Sequence, residues 1–563
     1  MSHHKPYVSN SDGQNIPSKE DYSTSEKIVI SALPDELIEV FLSTQPYRSD
    51  QQIWLNETSF NSEATWLYSF NKDALLKGDC LRLIRVAYHA QYYAISNREV
   101  ANDQREKPLD ILCEVGRSAI PMKMLQRLLV LCELPLVILR SQVSTDHQLA
   151  DWGTIVDRLT LICEEGFDGE GMIASADVGD FADVIASLVR IIRLAASGNS
   201  GQVLPKCVLN QFQWGVRQLL VTSSGDGHPF GEKFKYLSRD FVSLVLKLGG
   251  DPSDVRLAHH LGLLSDSSTE FTQELAVAAK RPESSFHSEW AQVAVLRSGW
   301  GRKRRELGIS AIGGEVKINL QSHRNPVLQG SIESTTEVGG VTLQPTGNWV
   351  ETCWQSDNDA DYLELELQLN EDWRIQRQFC VSRRSGAVLV ADVVLGNVPS
   401  DIRHTIKFDP APGVLFKDSN DGRELVVKAG NLSGLILPVG LSEWHNDRSE
   451  SVCGELSVSD SLKLVTSGKQ LSALYCPLFF ALTPKAAGKQ FTWRRLLVVK
   501  NLNDEPPDQA TAIRIQVGGR QWLLYRSLAE RESRTFMGQN FTSEFVFGEF
   551  LLDGKLKPYV EIG

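Results

Sequence analysis

Nothing in this 563-residue chain approaches the run of roughly 18 apolar residues that a membrane-spanning helix needs. Its start, MSHHKPYVSNSDGQNIPSKEDYSTSEK, also lacks the apolar centre of a signal peptide. The expected location is therefore the cytoplasm, without membrane insertion. Positive charge is in short supply as well. With 58 Lys and Arg against 70 Asp and Glu the formal charge is -12, which excludes a general affinity for nucleic acid or anionic lipid. The nine cysteines (Cys80, Cys113, Cys132, Cys163, Cys207, Cys353, Cys380, Cys453, Cys476) are odd in number, scattered and mostly set in apolar segments. That usage points to reduced thiols, and no pair has the spacing of zinc ligands. A Walker loop, a dinucleotide fingerprint, a nucleophile elbow and a His-Glu-x-x-His segment are all missing, so no cofactor and no metal is expected. His3 and His4 sit in a polar tail, residues 1–25, that is expected to be disordered.

What is present is organised around Ser356–Gly396. Leu363, Leu365, Leu367 and Leu369 alternate with Glu364, Glu366 and Gln368, the period of a strand with one dry face. Asn370-Glu371-Asp372 then turns the chain. A loop of three residues there sets Leu367 opposite Ile375, Leu365 opposite Arg377 and Leu363 opposite Phe379. The next turn, Arg383-Arg384-Ser385-Gly386, sets Val381 against Val388, Phe379 against Val390, Arg377 against Asp392 and Ile375 against Val394. The apolar inner face of this meander thus holds one charged pair, Arg377 and Asp392, read as a structural ion pair.

At about 150 residues per domain the length allows roughly two to four units. Two patterns divide it. From 26 to 264 the periodicity is helical, with segments at Asp79–Ile95, Leu149–Cys163, Phe181–Leu194, Val208–Leu220 and Phe241–Leu248. Pro121 is expected to start a helix through Met124, Leu128 and Cys132 that Pro135 interrupts, and Ser253 to cap the helix after Gly249-Gly250. Residues 265–285 are polar and read as a linker. From 286 to 563 strands and turns follow, with Gly313-Gly314, Gly339-Gly340 and Gly518-Gly519 as turns, a pattern larger than an immunoglobulin-sized sandwich.

Particular stretches carry a family resemblance. Phe286-His287-Ser288-Glu289-Trp290 through Leu296-Arg297, the meander Asp361–Gln378 with Leu389-Val390-Ala391-Asp392, and Leu219-Leu220 before Ser224-Gly225-Asp226-Gly227 resemble a divergent member of the heparinase II/III-like polysaccharide lyases. The resemblance implies an incomplete α/α toroid followed by a large antiparallel β-super-sandwich, with a groove between the domains. It implies β-elimination on an acidic polysaccharide or oligosaccharide, in which a cation neutralises the uronate carboxylate, a base takes the C5 proton and an acid protonates the leaving oxygen. One departure matters. Where such lyases carry a Gly-His-x-His-x-x-Asp-like segment, this chain has Ser298-Gly299-Trp300-Gly301-Arg302-Lys303-Arg304-Arg305-Glu306-Leu307, without histidine or aspartate. Catalysis has either moved or been lost, and a non-catalytic glycan-binding or scaffold protein is the alternative.

If catalysis has moved, His89 with Tyr92 and Tyr93 at i+3 and i+4 on one helix forms a possible acid–base pair, though the same cluster suits an aromatic face packed in a helical wall. Arg302 and Arg305, in the densest basic run, are candidates for holding the substrate's carboxylate. His228, His323 and Arg324, in loops, are further binding candidates. Trp300, Trp349, Trp354, Trp373, Trp444, Trp493 and Trp522 can stack on sugar rings or fill the core.

Overall fold

The computed structural model describes residues 8–9, 15–16, 66–67, 69–71, 75–95, 110–116, 123–140, 151–196, 203–224, 237–264, 280–418, 422–444, 451–551 and 553–563, with backbone alone at 8–9, 15–16, 89–95 and 140. The chain divides into two compact units, Met1–Pro282 and Glu283–Gly563. In the polar tail Val8–Ser9 pairs with Asn15–Ile16; the rest of that tail, and 265–279 of the expected linker, lie outside the described residues.

The first unit is helical. Its main helices are α1 (Lys77–Ile95), α2 (Leu134–Arg140), α3 (Trp152–Gly166), α4 (Phe181–Ala196), α5 (Lys206–Thr222), α6 (Arg239–Gly249) and α7 (Pro252–Leu261). Twelve of the sixteen residues of α4 are buried, as its sequence FADVIASLVRIIRLAA demands of a helix with few polar positions. Its one buried cation, Arg190, donates through Nε and Nη2 to Glu133 at 2.5 and 3.1 Å, and Ser187 adds a bond to the same carboxylate at 2.7 Å. Among the described residues no helix is long and apolar enough to cross a membrane.

Two local expectations are corrected. Pro135 does not interrupt its helix: Met124–Arg127 passes through a wider i→i+5 turn, Leu128–Glu133, directly into α2. The widened turn precedes a residue that has no N–H to give, so the chain continues without a break. The cap of α7 is Asp251, not Ser253. Pro252 occupies the first helical position, where its fixed φ is suited, and the Asp251 carboxylate accepts from the N–H groups of Ser253 and Asp254.

The second unit is antiparallel β-structure. We number its principal strands β1 (Val293–Arg297), β2 (Arg305–Ile312), β3 (Glu315–Ser322), β4 (Asn325–Val338), β5 (Val350–Ser356), β6 (Ala360–Gln368), β7 (Trp373–Ser382), β8 (Ala387–Pro410), β9 (Leu432–Leu437), β10 (Leu462–Ala481), β11 (Phe491–Leu496), β12 (Ala510–Val517), β13 (Arg520–Ser527), β14 (Phe545–Phe550) and β15 (Leu556–Ile562). The large sheet runs β9-β10-β8-β4-β3-β2-β1, and the meander β5-β6-β7 joins it at β8. The second sheet is β11-β12-β13-β14-β15.

The meander has the register that alternation requires: Leu363 faces Phe379, Leu365 faces Arg377, Phe379 faces Val390 and Arg377 faces Asp392. One side of it, with Leu363, Leu365, Leu367, Ile375 and Phe379, enters the larger core cluster. The other side is dry too, contrary to a strand with a single apolar face. Tyr362, Cys380, Leu389 and Val393 pack with Trp493, Ile513, Trp522 and Phe547 of the second sheet. Glu364 is accordingly buried, and its carboxylate is satisfied by the Tyr362 hydroxyl at 2.7 Å, Gln378 Nε2 at 3.0 Å and Arg526 Nη1 at 3.3 Å.

Candidate functional site

The charged pair inside the sheet is buried and joined by hydrogen bonds. Arg377 Nε and Nη2 each donate to Asp392 at 2.7 Å, His404 Nε2 lies 3.0 Å from the same carboxylate, and Thr336 Oγ1 lies 2.8 Å from His404 Nδ1. The Trp349 ring covers the guanidinium at 4.5 Å. Burial by itself would raise the Asp392 carboxyl, but Arg377 and His404 outweigh it and hold the group well below the usual carboxylate range. Arg377 Nη1 is buried without a hydrogen-bond partner among the described residues, while the Asp392 carboxylate is shared between Arg377 and His404.

The basic run at 302–305 separates by residue. Arg302 and Lys303 stand exposed in the turn before β2. Arg304 turns inward: its Nε meets Glu306 Oε2 at 3.1 Å, and Arg297 Nε reaches the same oxygen at 2.9 Å. Arg297 also donates through Nη1 to Ser284 O at 2.8 Å and lies over the Trp300 ring at 4.4 Å. Burial opposes ionisation of Glu306, yet the two arginines bring its carboxyl below the usual value. These residues hold the start of β2 in place.

Arg305 points elsewhere. It is half-buried, its Nε lies 3.4 Å from Leu482 O, and it borders a cavity of about 140 Å³ within the β unit. Four basic side chains line that cavity: Arg305 from β2, Arg384 from the turn between β7 and β8, Lys489 from the loop before β11, and Arg520 from the start of β13. Among the described residues no acidic side chain is in the lining. Asp359 lies 3.3 Å from Arg384, and Glu549 lies 3.6 Å from Arg520. Burial, and then the positive charge of Arg520, push the Arg305 guanidinium down to about 10. The wall also includes Trp522, which is 2 % exposed and whose indole N–H has no hydrogen-bond partner among the described residues.

His323 and Arg324 form the tight turn after β3, both with positive φ, 54° and 66°. His323 Nδ1 is 2.9 Å from Ser322 Oγ, whose hydroxyl also donates to Leu482 O at 3.0 Å. Partial burial, followed by the charges of Arg305 and Lys303, lowers the His323 imidazole below its ordinary value. The structure thus brings His323 into the electrostatic neighbourhood of Arg305, while Arg324 stands exposed.

His89, Tyr92 and Tyr93 fall in the last turns of α1, and their side chains lie outside the described residues, as does the whole of His228. Their neighbour Tyr88 turns inward, with its hydroxyl 3.3 Å from Glu133 Oε1. Trp300, Trp349, Trp373, Trp493 and Trp522 are buried and fill the core rather than offering a stacking surface; Trp354 is half-buried against His287, and Trp444 is exposed. Among the described residues no group of three or more His, Cys, Asp or Glu side chains is placed to hold a metal ion. Of the four cations that line the cavity, the sequence singles out Arg305 and not Arg384, Lys489 or Arg520. The turns that carry Arg384 and Arg520 were legible, but their meeting was not.

No family model matches this chain, and no curated protein matches it in sequence. Solved structures with a similar fold exist. A mutant of heparan sulfate lyase HepC from Pedobacter heparinus superposes with a TM-score of 0.51 at 11 % identity, covering 88 % of this chain and 90 % of that one. A second structure of heparan sulfate lyase HepC from the same organism gives 0.50 at 12 % identity, over 86 % and 82 % of the two chains. At this identity the likeness is one of fold: the chain has a polysaccharide-lyase-like fold.

Proposed function

We propose that this protein is a polysaccharide lyase that cleaves an acidic, uronate-containing polysaccharide or oligosaccharide by β-elimination. The observation that supports this reading is the fold likeness to a heparan sulfate lyase over 88 % of the chain, a span that neither unit supplies alone. On this reading the helical unit closes as an incomplete α/α toroid. Elimination takes the proton from C5, forms the C4–C5 double bond and breaks the C4–oxygen bond, and the departing oxygen needs a proton. We assign base and acid to His89 with Tyr92 or Tyr93. Arg302 and Arg305 hold the acidic groups of the substrate, with His228, His323 and Arg324 as further contacts.

Each cleavage leaves an unsaturated uronate at the new non-reducing end, which absorbs in the near ultraviolet, and a saturated reducing end on the other fragment. Incubation of the purified protein with a panel of uronic-acid polymers is expected to give a rising absorbance with at least one of them. A flat trace across the panel overturns the lyase reading.

One observation favours a second reading, a glycan-binding protein that has kept the fold without the reaction. The 298–307 segment has no histidine, and its Arg304 and Glu306 are committed to a buried structural cluster. Binding of a polymer without any absorbance change is the outcome that selects it.

A further inference from the structure

We infer that the cavity bounded by Arg305, Arg384, Lys489 and Arg520 is a binding site for a tetrahedral oxyanion, the sulfate or phosphate ester group of a saccharide. Four separate segments bring cations to one small volume, and among the described residues no carboxylate lines it. Gathering like charges costs folding energy unless something offsets it. Asp359 and Glu549 stand behind two of them, whereas Arg305 and Lys489 have no carboxylate partner among the described residues. Burial first, and then the charge of Arg520, lower the Arg305 guanidinium in this setting.

Size and charge narrow the ligand. A volume of about 140 Å³ has room for an ester oxyanion. A single carboxylate is satisfied by one bidentate arginine, so four cations exceed what it requires. The saccharide as carrier rests on the proposed function above; anion binding in the cavity does not.

The test is calorimetric titration of the full chain with inorganic sulfate, inorganic phosphate and acetate at constant ionic strength in chloride. Sulfate or phosphate is expected to bind one per chain, and acetate to give no heat. Lys489→Gln with Arg520→Gln alters two exposed side chains and is expected to weaken binding at least about tenfold, while Arg305→Lys, which keeps the charge and loses the planar fork, weakens it by about the same factor. A sugar phosphate gains its second charge near about pH 6, whereas inorganic sulfate already carries two, so affinity that rises between about pH 5 and about pH 7.5 for the sugar phosphate alone identifies a site that wants a dianion. A sugar phosphate and a sugar sulfate titrated in parallel then separate the two sources. The inference is overturned if wild type and the double variant bind sulfate and phosphate alike, or if acetate binds as tightly. Oxyanion binding with a flat lyase trace removes only the lyase reading; lyase activity without oxyanion binding removes only this one.

Discussion

Arg377 and Asp392 occupy directly opposed positions on β7 and β8 and are joined by two hydrogen bonds of 2.7 Å, with both side chains sealed from water. Such a pair stabilises little relative to apolar residues of equal volume, but each member is costly to leave alone. Arg377→Ala is therefore expected to destabilise the fold by roughly 3 to 5 kcal/mol, seen as a fall in the denaturant midpoint at unchanged slope. Arg377→Met combined with Asp392→Leu is expected to recover most of that loss. An Arg377→Ala midpoint equal to wild type would refute the account of the sheet interior.

The same carboxylate sets a pH dependence. Its folded-state pKa lies below the unfolded value of about 3.9, so the folded state binds fewer protons than the unfolded chain once the pH falls to that value. The stability it contributes is complete above about pH 4 and is lost as the pH drops toward the folded pKa. Urea melts between about pH 5 and about pH 2.5 are expected to show wild type losing stability faster than the Met/Leu double variant. Parallel loss in the two proteins would contradict this.

In the helical unit Asp251 caps α7 and contacts Arg217, which also bonds Asp254 at 2.8 Å. Burial tends to raise the Asp251 carboxyl, but the Ser253 hydroxyl, the Asp254 amide and Arg217 bring it down to about 2. Asp251→Ala is expected to cost about 1 kcal/mol, the usual loss of an N-cap, measurable as a lower melting temperature. Because the carboxyl is depressed, the difference between the two proteins should shrink as the pH falls from about 4 toward about 2.

Gly386 faces the anion cavity. With φ at 78°, a Cβ built on it would stand 2.5 Å from Arg305 Nη2 and 2.9 Å from Thr483 Cγ2. Gly386→Ala is expected to cost about 1–2 kcal/mol for the backbone conformation and to displace Arg305, so that sulfate affinity falls together with stability. A variant that keeps wild-type sulfate affinity would show that Arg305 is not fixed by this contact.

His89→Ala is expected to lower any lyase turnover by roughly a hundredfold or more, the ordinary contribution of a general base, with Tyr92→Phe and Tyr93→Phe identifying the acid. Near-ultraviolet absorbance under saturating polymer reads the effect. Undiminished turnover in His89→Ala moves the base to another residue.

What the linear chain determined by itself was local and periodic. Alternation from Leu363 to Leu369 and the polar turns at 370–372 and 383–386 are enough to put Arg377 beside Asp392, because a strand's side chains change face at every residue and a short turn leaves one register. The change from helical to strand periodicity likewise separated two kinds of structure. Tertiary structure alone decided which faces are covered. Glu364 reads as a solvent-facing position until the sheet of Ile513, Trp522 and Phe547 is laid over it, well over a hundred residues later in the chain. Arg305 in the same way is one charge in a basic run until the turn of Arg384 and the hairpin of Arg520 close around it. Periodicity records the neighbours a residue has along its own element; convergence of charge depends on loop contacts that no repeat in the sequence encodes.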